Sequence, residues 1–290
     1  MTKKYIICLA LVIFSLSSFA QQTHKKLRFA FATDIHLNKQ NNGNCLTGLK
    51  QALDKIKESK VDFVVFGGDL VDISGMSNNL SKHQTDSMYN VFKQTVETAK
   101  LKYYPTIGNH DRYFDAVGGY TEGDEIFKTF FKQSYYTFEK EGVRFFILNS
   151  VQKDKEKNGY YVGEKQMEWL KAELSKISAS TPVVVSTHVP VYSIYYPVVE
   201  GKYVFVDVIA NYKELLKTFE KHNLKLVLQG HQHLYEEIFS QNVQYITGGA
   251  VCASWWSGAF HGTEEGFLIV EIDDNNKFTW EYIDYGWTPE

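Results

Sequence analysis

The run Leu27-Arg28-Phe29-Ala30-Phe31-Ala32-Thr33-Asp34-Ile35-His36 decides the fold. Positions 27–33 are, apart from Arg28 and Thr33, apolar and aromatic and read as a strand, and the run stops at Asp34, a residue type that favours turns. Alternate side chains at a strand end share a face, so Asp34 and His36 can grip one cation together. Alone, an Asp-x-His pair at a strand end is an ordinary capping feature. Here the same design, an apolar run closed by polar donors, recurs four more times in order. The later segments are Gly68-Asp69, Gly108-Asn109-His110-Asp111, Thr187-His188 and Gly230-His231-Gln232-His233.

Each segment falls at the carboxyl end of a predicted strand, which is where open α/β sheets gather their ligands. A carboxylate between two cations can lend one oxygen to each, and Asp69 is the natural bridge. Asn109, His188, His231 and His233 add neutral amide and imidazole donors. That mixture suits Zn, Mn or Fe better than Ca or Mg, and thiolate ligation is not implied. Two cations about 3.5–4 Å apart can clamp the attacking and leaving oxygens of an in-line displacement. They also lower the pKa of bound water from about 15.7 towards about 7, so a metal-bound hydroxide is the expected nucleophile. No Ser or Cys nucleophile is called for.

Taken together, the five motifs resemble the signature of the calcineurin-like metallophosphoesterase superfamily, from about Arg28 to about Tyr285. The resemblance implies that Asp34, His36, Asp69 and His233 hold one metal, and that Asp69, Asn109, His188 and His231 hold the other. It implies that His110 sits over the substrate to protonate the leaving oxygen or stabilise phosphoryl charge, with Asp111 orienting its ring. Ala32-Thr33-Asp34-Ile35-His36, Gly68-Asp69-Leu70-Val71-Asp72 and Tyr104-Pro105-Thr106-Ile107-Gly108-Asn109-His110-Asp111 look most like the branch containing class III cyclic nucleotide phosphodiesterases, of secreted bacterial type. Purple acid phosphatases match less well, because their metal-binding tyrosine stands where this chain has Asp72. The fourth motif also departs from the cyclic-nucleotide branch, having Thr187-His188 in place of paired histidines.

The 290 residues carry 31 basic and 34 acidic side chains. Residues 1–20 have a Lys3-Lys4 start, an apolar stretch over 5–14 and Ser-Ser-Phe-Ala before Gln21, which reads as a secretory signal peptide cut after Ala20. The apolar stretch falls short of the ~20 residues a membrane span needs, so no stable membrane anchor is expected. Removing Lys3 and Lys4 leaves 29 basic against 34 acidic residues, a formal charge of −5. A nucleic-acid-coating surface is thereby disfavoured. Residues 21–290 suit one metallophosphoesterase domain, secreted or periplasmic. Cys8 leaves with the signal, and Cys45 and Cys252 are expected as two free thiols rather than a disulfide.

Strands are expected at 27–33, 62–66, 102–106, 143–149, 182–187, 224–229, 243–247, 266–272 and 277–283. Helices are expected at 46–59, 83–100, 123–132, 163–178 and 211–221 from apolar spacings of three and four. Early strand-helix alternation with a strand-rich tail suggests an α/β fold of two packed mixed sheets flanked by helices. The resemblance implies the same design, a four-layer α/β/β/α sandwich. The charged run 153–157 reads as a solvated loop.

Substrate contacts are expected from loops after strands. Tyr192 follows His188 in a loop broken by Pro190 and Pro197, while Trp255, Trp256 and His261 lie in the glycine-flanked segment 248–262. Arg112 follows the third motif. These side chains are the candidates for touching phosphate or stacking on the substrate. The expected activity is dinuclear-metal-dependent hydrolysis of a small-molecule phosphate monoester or diester. A 3′,5′-cyclic nucleotide phosphodiesterase or a nucleotide-sugar or lipid pyrophosphohydrolase is the alternative within that chemistry. Outside it, the alternative is a metal- or glycan-binding surface protein.

Overall fold

A computed structural model describes residues 25–38, 44–73, 80–113, 123–153, 159–202 and 207–289. The signal-peptide segment and most of the charged run 153–157 lie outside the described residues. In chain order the elements are β1 (Lys25–Ala32), α1 (Asn44–Glu58), β2 (Phe63–Phe66), α2 (Lys82–Ala99), β3 (Tyr103–Pro105), α3 (Glu125–Phe131), β4 (Tyr136–Lys140), β5 (Val143–Ile147), β6 (Gln152–Lys153) and β7 (Tyr160–Tyr161). They continue with α4 (Glu164–Leu174), β8 (Pro182–Ser186), α5 (Tyr212–Phe219), β9 (Asn223–Gln229), β10 (Tyr235–Ser240), β11 (Val243–Gly248), β12 (Gly266–Asp273) and β13 (Phe278–Asp284).

Two mixed sheets result. The first has the order β13-β12-β1-β2-β3, with β1 parallel to β2 and β2 to β3, and antiparallel β12 and β13 closing one edge. The second has the order β10-β11-β9-β8-β5-β4, with a parallel centre and an antiparallel strand at each edge. Alternation divides each central strand between two cores. Phe29, Phe31, Phe63 and Val65 face Phe145, Ile147, Val184 and Leu228 between the sheets. Ala30, Ala32, Val64 and Phe66 join the helical layer, where Leu49, Leu53, Tyr89 and Phe92 are buried. Strands covered on both faces need apolar residues at every position, which is why these runs hardly alternate in polarity.

Helix positions follow from the same packing. In α1, Leu49, Ala52, Leu53 and Ile56 are buried at spacings of three and four. At Gly48 in that helix, an added Cβ would lie 2.0 Å from the Trp256 ring, so a bare backbone is required there. In α2, Ser81 and Gln84 form a reciprocal capping box, which satisfies donors that the first turn otherwise leaves unpaired.

The two edge strands β4 and β10, with no counterpart among the expected elements, are each joined to the next strand by a two-residue turn. Glu141 and Gly142 in one, and Gln241 and Asn242 in the other, all have positive φ, the geometry that matches strand twist in tight hairpins. Among the described residues no helix is long and apolar enough to cross a membrane. Cys45 and Cys252 are both free and buried, as expected.

Candidate metal centre and its surroundings

Five strand ends deliver the donors. Asp34 and His36 follow β1, Asp69 follows β2, Asn109 opens the single helical turn Asn109–Asp111 after β3, His188 follows β8, and His231 and His233 follow β9. The loops are tied to one another by backbone hydrogen bonds. Asp34 N–H donates to Gly68 O at 3.0 Å, His36 N–H to Asp69 O at 2.9 Å, and Gly230 N–H to His188 O at 2.9 Å. Asp34, His36, Asp69, His231 and His233 all have positive φ, a conformation that costs non-glycine residues energy and collects at functional sites. A Cβ at Gly108 would fall 2.1 Å from Asp69 Oδ1 and N, so only glycine lets the third motif close on the second.

The donors form two sets that meet at one carboxylate. On one side His36 Nε2 lies 3.1 Å from His233 Nε2, and His233 Nε2 lies 3.4 Å from Asp34 Oδ1. On the other, His188 Nε2 lies 3.0 Å from Asn109 Oδ1, and a ligand atom of His231 groups with His188 and Asp69 within 4.8 Å. Asp69 Oδ2 lies between them, 3.5 Å from His36 Nε2 and 3.1 Å from His188 Nε2.

These residues fit cations, and the far ring nitrogens show why. His36 Nδ1 is 2.6 Å from Asp72 Oδ1, His188 Nδ1 is 3.0 Å from Gly67 O, and His233 Nδ1 is 2.5 Å from Ala253 O. An oxygen acceptor at each Nδ1 places the proton there and turns a bare Nε2 lone pair inward. Three such lone pairs converge with the carboxylates of Asp34 and Asp69 and the Asn109 amide oxygen, all but buried from solvent. Asp34 and Asp69 each accept one backbone N–H, from His231 and His110, yet acceptors this crowded in a buried space still call for a positive charge in their midst, a proton on His188 or a cation in its place.

The titration of the cage expresses the same demand. Burial works to discharge His188, but the charges of Asp69 and Asp34 override it and raise its pKa to about 9. Burial likewise opposes charge on Asp69, yet the neighbouring imidazoles of His188 and His110 hold its carboxyl well below the usual range. In His233 burial wins, and its pKa falls to about 4.

His110 stands beside this cage, its ring edge-on to that of His36 at 4.7 Å and its side chain 28% exposed. Burial lowers its basicity, but Asp69 and Asp72 outweigh that and lift its pKa to about 9. The residue against its Nδ1 is Asp72, at 3.0 Å, and Asp111 does not orient this ring. Both oxygens of Asp111 are engaged elsewhere, accepting from the backbone N–H groups of Leu70, Val71 and Gly108 at 2.8–3.1 Å. The Asp111 carboxylate therefore pins the second motif to the third. Asp72 serves His36 and His110 through one oxygen, while Asn38 donates to its other oxygen at 3.2 Å. The Gly-Asp-Leu-Val-Asp spacing, which puts Asp72 three residues beyond Asp69 in an extended segment, carried the signal for this role.

Three of the substrate candidates belong to the framework. Arg112 is 7% exposed, with its guanidinium donating to Val151 O and Tyr113 O. The Tyr192 ring packs against Tyr245 and Tyr212, towards the helical layer. Trp256 is 3% exposed and donates its indole N–H to Ile35 O at 2.9 Å. Trp255 does reach the cage, its ring stacked on His233 at 4.3 Å. His261 lies further out, 4.5 Å from the Phe260 ring. On the opposite side, Asp207 approaches His231 Nε2 at 3.4 Å and accepts a hydrogen bond from the Tyr196 hydroxyl. No motif marks Asp207, which stands in a loop far from any strand end. A groove of about 1680 Å³ lined by Lys128, Lys165, Trp169 and Lys217 lies elsewhere and includes none of these cage residues.

A two-sheet sandwich that carries such a cage on its parallel strand ends is the framework of a metal-dependent phosphoric ester hydrolase. The chain belongs to the calcineurin-like phosphoesterase family, whose sequence profile matches residues 27–235. A dimetal phosphatase from Danio rerio shares the fold with a TM-score of 0.60 at 14% identity, over 91% of this chain and 100% of that one. GAP50, described as the anchor in the inner membrane complex of Plasmodium, shares it with a TM-score of 0.53 at 17% identity, over 91% and 86%. No curated protein matches the chain by sequence.

Proposed function

We propose that this protein hydrolyses a phosphate monoester or diester using two transition-metal ions, Fe, Mn or Zn. Asp34, His36, Asp69 and His233 would hold one, and Asp69, Asn109, His188 and His231 the other. The observation that carries the reading is Asp69, whose Oδ2 stands within 3.5 Å of a ring nitrogen from each donor set. When bound, the ions supply Lewis acidity to the phosphoryl oxygens and to the attacking water.

The chain's own residues do the rest. The β1 and β2 strand ends fix Asp34 and Asp69 so that the phosphoryl group meets a preorganised charge pattern. His110 holds a proton at the mouth of the cage, with Nδ1 turned to Asp72 and Nε2 left to give that proton to the departing oxygen. A positioned acid of this kind contributes about 10²–10⁴-fold in rate. Since an anchor protein also adopts this fold, the fold alone does not argue for turnover. The complete donor set together with His110 does.

Export with removal of residues 1–20 belongs to the same reading and rests on sequence alone, and amino-terminal sequencing of the mature protein should begin at Gln21. The activity is tested by metal analysis of purified protein followed by phosphate release from monoesters, diesters, cyclic nucleotides and pyrophosphate esters. His110→Ala should retain its metal and lose rate. Undiminished turnover after complete removal of metal by chelation would overturn the mechanism.

A further inference from the structure

Beside the cage, the loops 187–202 and 249–265 meet in an aromatic wall. Trp255 is 46% exposed, although one side of its indole lies against His233 with 30° between the planes. Phe260 stands edge-on to it at 5.8 Å. Beyond Phe260, the Tyr195 ring runs nearly parallel, 16° off at 6.3 Å, and His261 touches both rings at 4.5 and 6.0 Å. The wall thus extends outward from the metal ligands and draws on two separate loops.

Its placement points to a role. Trp255 is 5.9 Å from the His36 ring, and His36 is 4.7 Å from His110, so the indole and the proton donor both flank the same metal-ligand ring. A leaving group protonated by His110 would extend across His36 towards Trp255. The backbone is bent to present this ring, since Ala253, Trp255, Trp256 and His261 all have positive φ. The bend is held from below by Trp256 on Ile35 O and by the Tyr285 hydroxyl on Val251 O at 2.5 Å. A bulky side chain in that conformation is a true outlier, and such strain gathers at functional positions. The buried Trp256 does the packing, while the exposed Trp255 next to it contributes little to the core.

We infer that Trp255, Phe260, Tyr195 and His261 form a leaving-group subsite for a flat aromatic substituent on the phosphate ester. The inference rests on the phosphoesterase reading and names its substrate class. Aromatic side chains receive planar rings by stacking on their faces, a contact tolerant of the ring's identity.

The test compares kcat/KM for phenyl phosphate, ethyl phosphate and octyl phosphate, and for the matching diesters, in metal-loaded protein. The aryl-to-ethyl ratio cancels effects on the cage common to both esters. In Trp255→Leu and in Tyr195→Leu that ratio should fall about tenfold through KM for the aryl ester, an effect of the size seen when a stacking ring is removed. Phe239→Ala, an exposed ring near the far end of β10, should leave the ratio where it was. An equal loss for aryl and ethyl esters would reduce the wall to a support for His233 and overturn the inference. So would an unmoved ratio, or a larger loss for octyl than for phenyl phosphate. If metal-loaded wild type cleaves none of the esters, the phosphoesterase reading itself fails. If it cleaves them with an unmoved ratio, the subsite alone is lost.

Discussion

In the cage, side chains are held mainly by backbone groups; in the aromatic wall beside it, side chains hold one another. Asp34 accepts from the His231 N–H at 3.0 Å, Asp69 from the His110 N–H at 2.8 Å, and three histidines are locked through Nδ1 to fixed acceptors. Trp255, Phe260, Tyr195 and His261 instead touch mainly other rings, at centroid distances of 4.5–6.3 Å. Charge stabilisation needs donors whose positions do not relax, because reorganising them would cost what they contribute. Recognition of an apolar group tolerates adjustment. One active site can therefore combine an invariant centre with an adaptable margin.

Removing the shared member of the rigid region is the most severe way to break that contrast. Asp69→Ala should abolish bound metal and turnover together, with a rate loss of more than about 10³-fold, because it leaves both donor sets without their common carboxylate. Metal content and phosphate release, measured on one sample, check it. Hydrolysis retained in this variant would remove Asp69 from the centre of the mechanism.

Two adjacent tryptophans sharpen the comparison through stability. Trp256→Ala should destabilise the fold by about 3–5 kcal/mol, since it empties a site against α1 and strands the Ile35 carbonyl. Trp255→Ala should stay within about 1 kcal/mol, as a part-exposed substitution does. Urea unfolding of the two variants reads the difference directly. Equal losses would mean that the wall is core after all.

This pair also shows how far residue identity speaks. The donors were legible because each closes an apolar run, and a strand end leaves few choices of direction for a polar side chain. Expected strands 27–33, 62–66 and 182–187 match β1, β2 and β8 for the same reason, their residues being buried on both faces. Loop aromatics carry no such periodicity. Nothing local tells Trp255 from Trp256, or Tyr192 from Tyr195, because the choice depends on which ring finds α1 or β11 to pack against. Arg112 follows His110 and Asp111 closely enough to suggest phosphate, yet Val151 O and Tyr113 O take its guanidinium. β4 and β10 lacked a signal of another sort: as edge strands they are only partly buried, so their apolar pattern is thin.

Asp72 and Asp111 divide orientation from support at the edge of the rigid region. Asp72→Asn should lower kcat about 10–100-fold with most of the metal retained, since the carboxylate behind a ligand or acid tunes it without holding the ion. Asp111→Asn should act chiefly on stability, because its oxygens accept from three backbone N–H groups. Thermal melts and kcat on both variants separate the two. A larger kcat loss in Asp111→Asn than in Asp72→Asn, at equal folded fraction, would return the ring-orienting role to Asp111.

The smallest effect is a proton count, and it tests whether cation and proton compete for the same lone pairs. With no cation bound, His188 titrates at about 9 and is charged at pH 7, whereas His233, at about 4, is neutral. A ligand histidine must be deprotonated, so metal uptake at pH 7 should release about one proton from His188 and none from His233. Apparent affinity should then rise about tenfold per pH unit for that proton between pH 7 and 9 and level off above. Stability of the metal-free protein runs the other way: a folded pKa raised above 6.5 gives stability that is complete below 6.5 and is lost as pH climbs through about 9. Calorimetric titration with metal in buffers of different ionisation enthalpy counts the protons. Uptake with no proton release at pH 7 would mean that His188 is already neutral, and that the paired carboxylates do not hold charge on its ring.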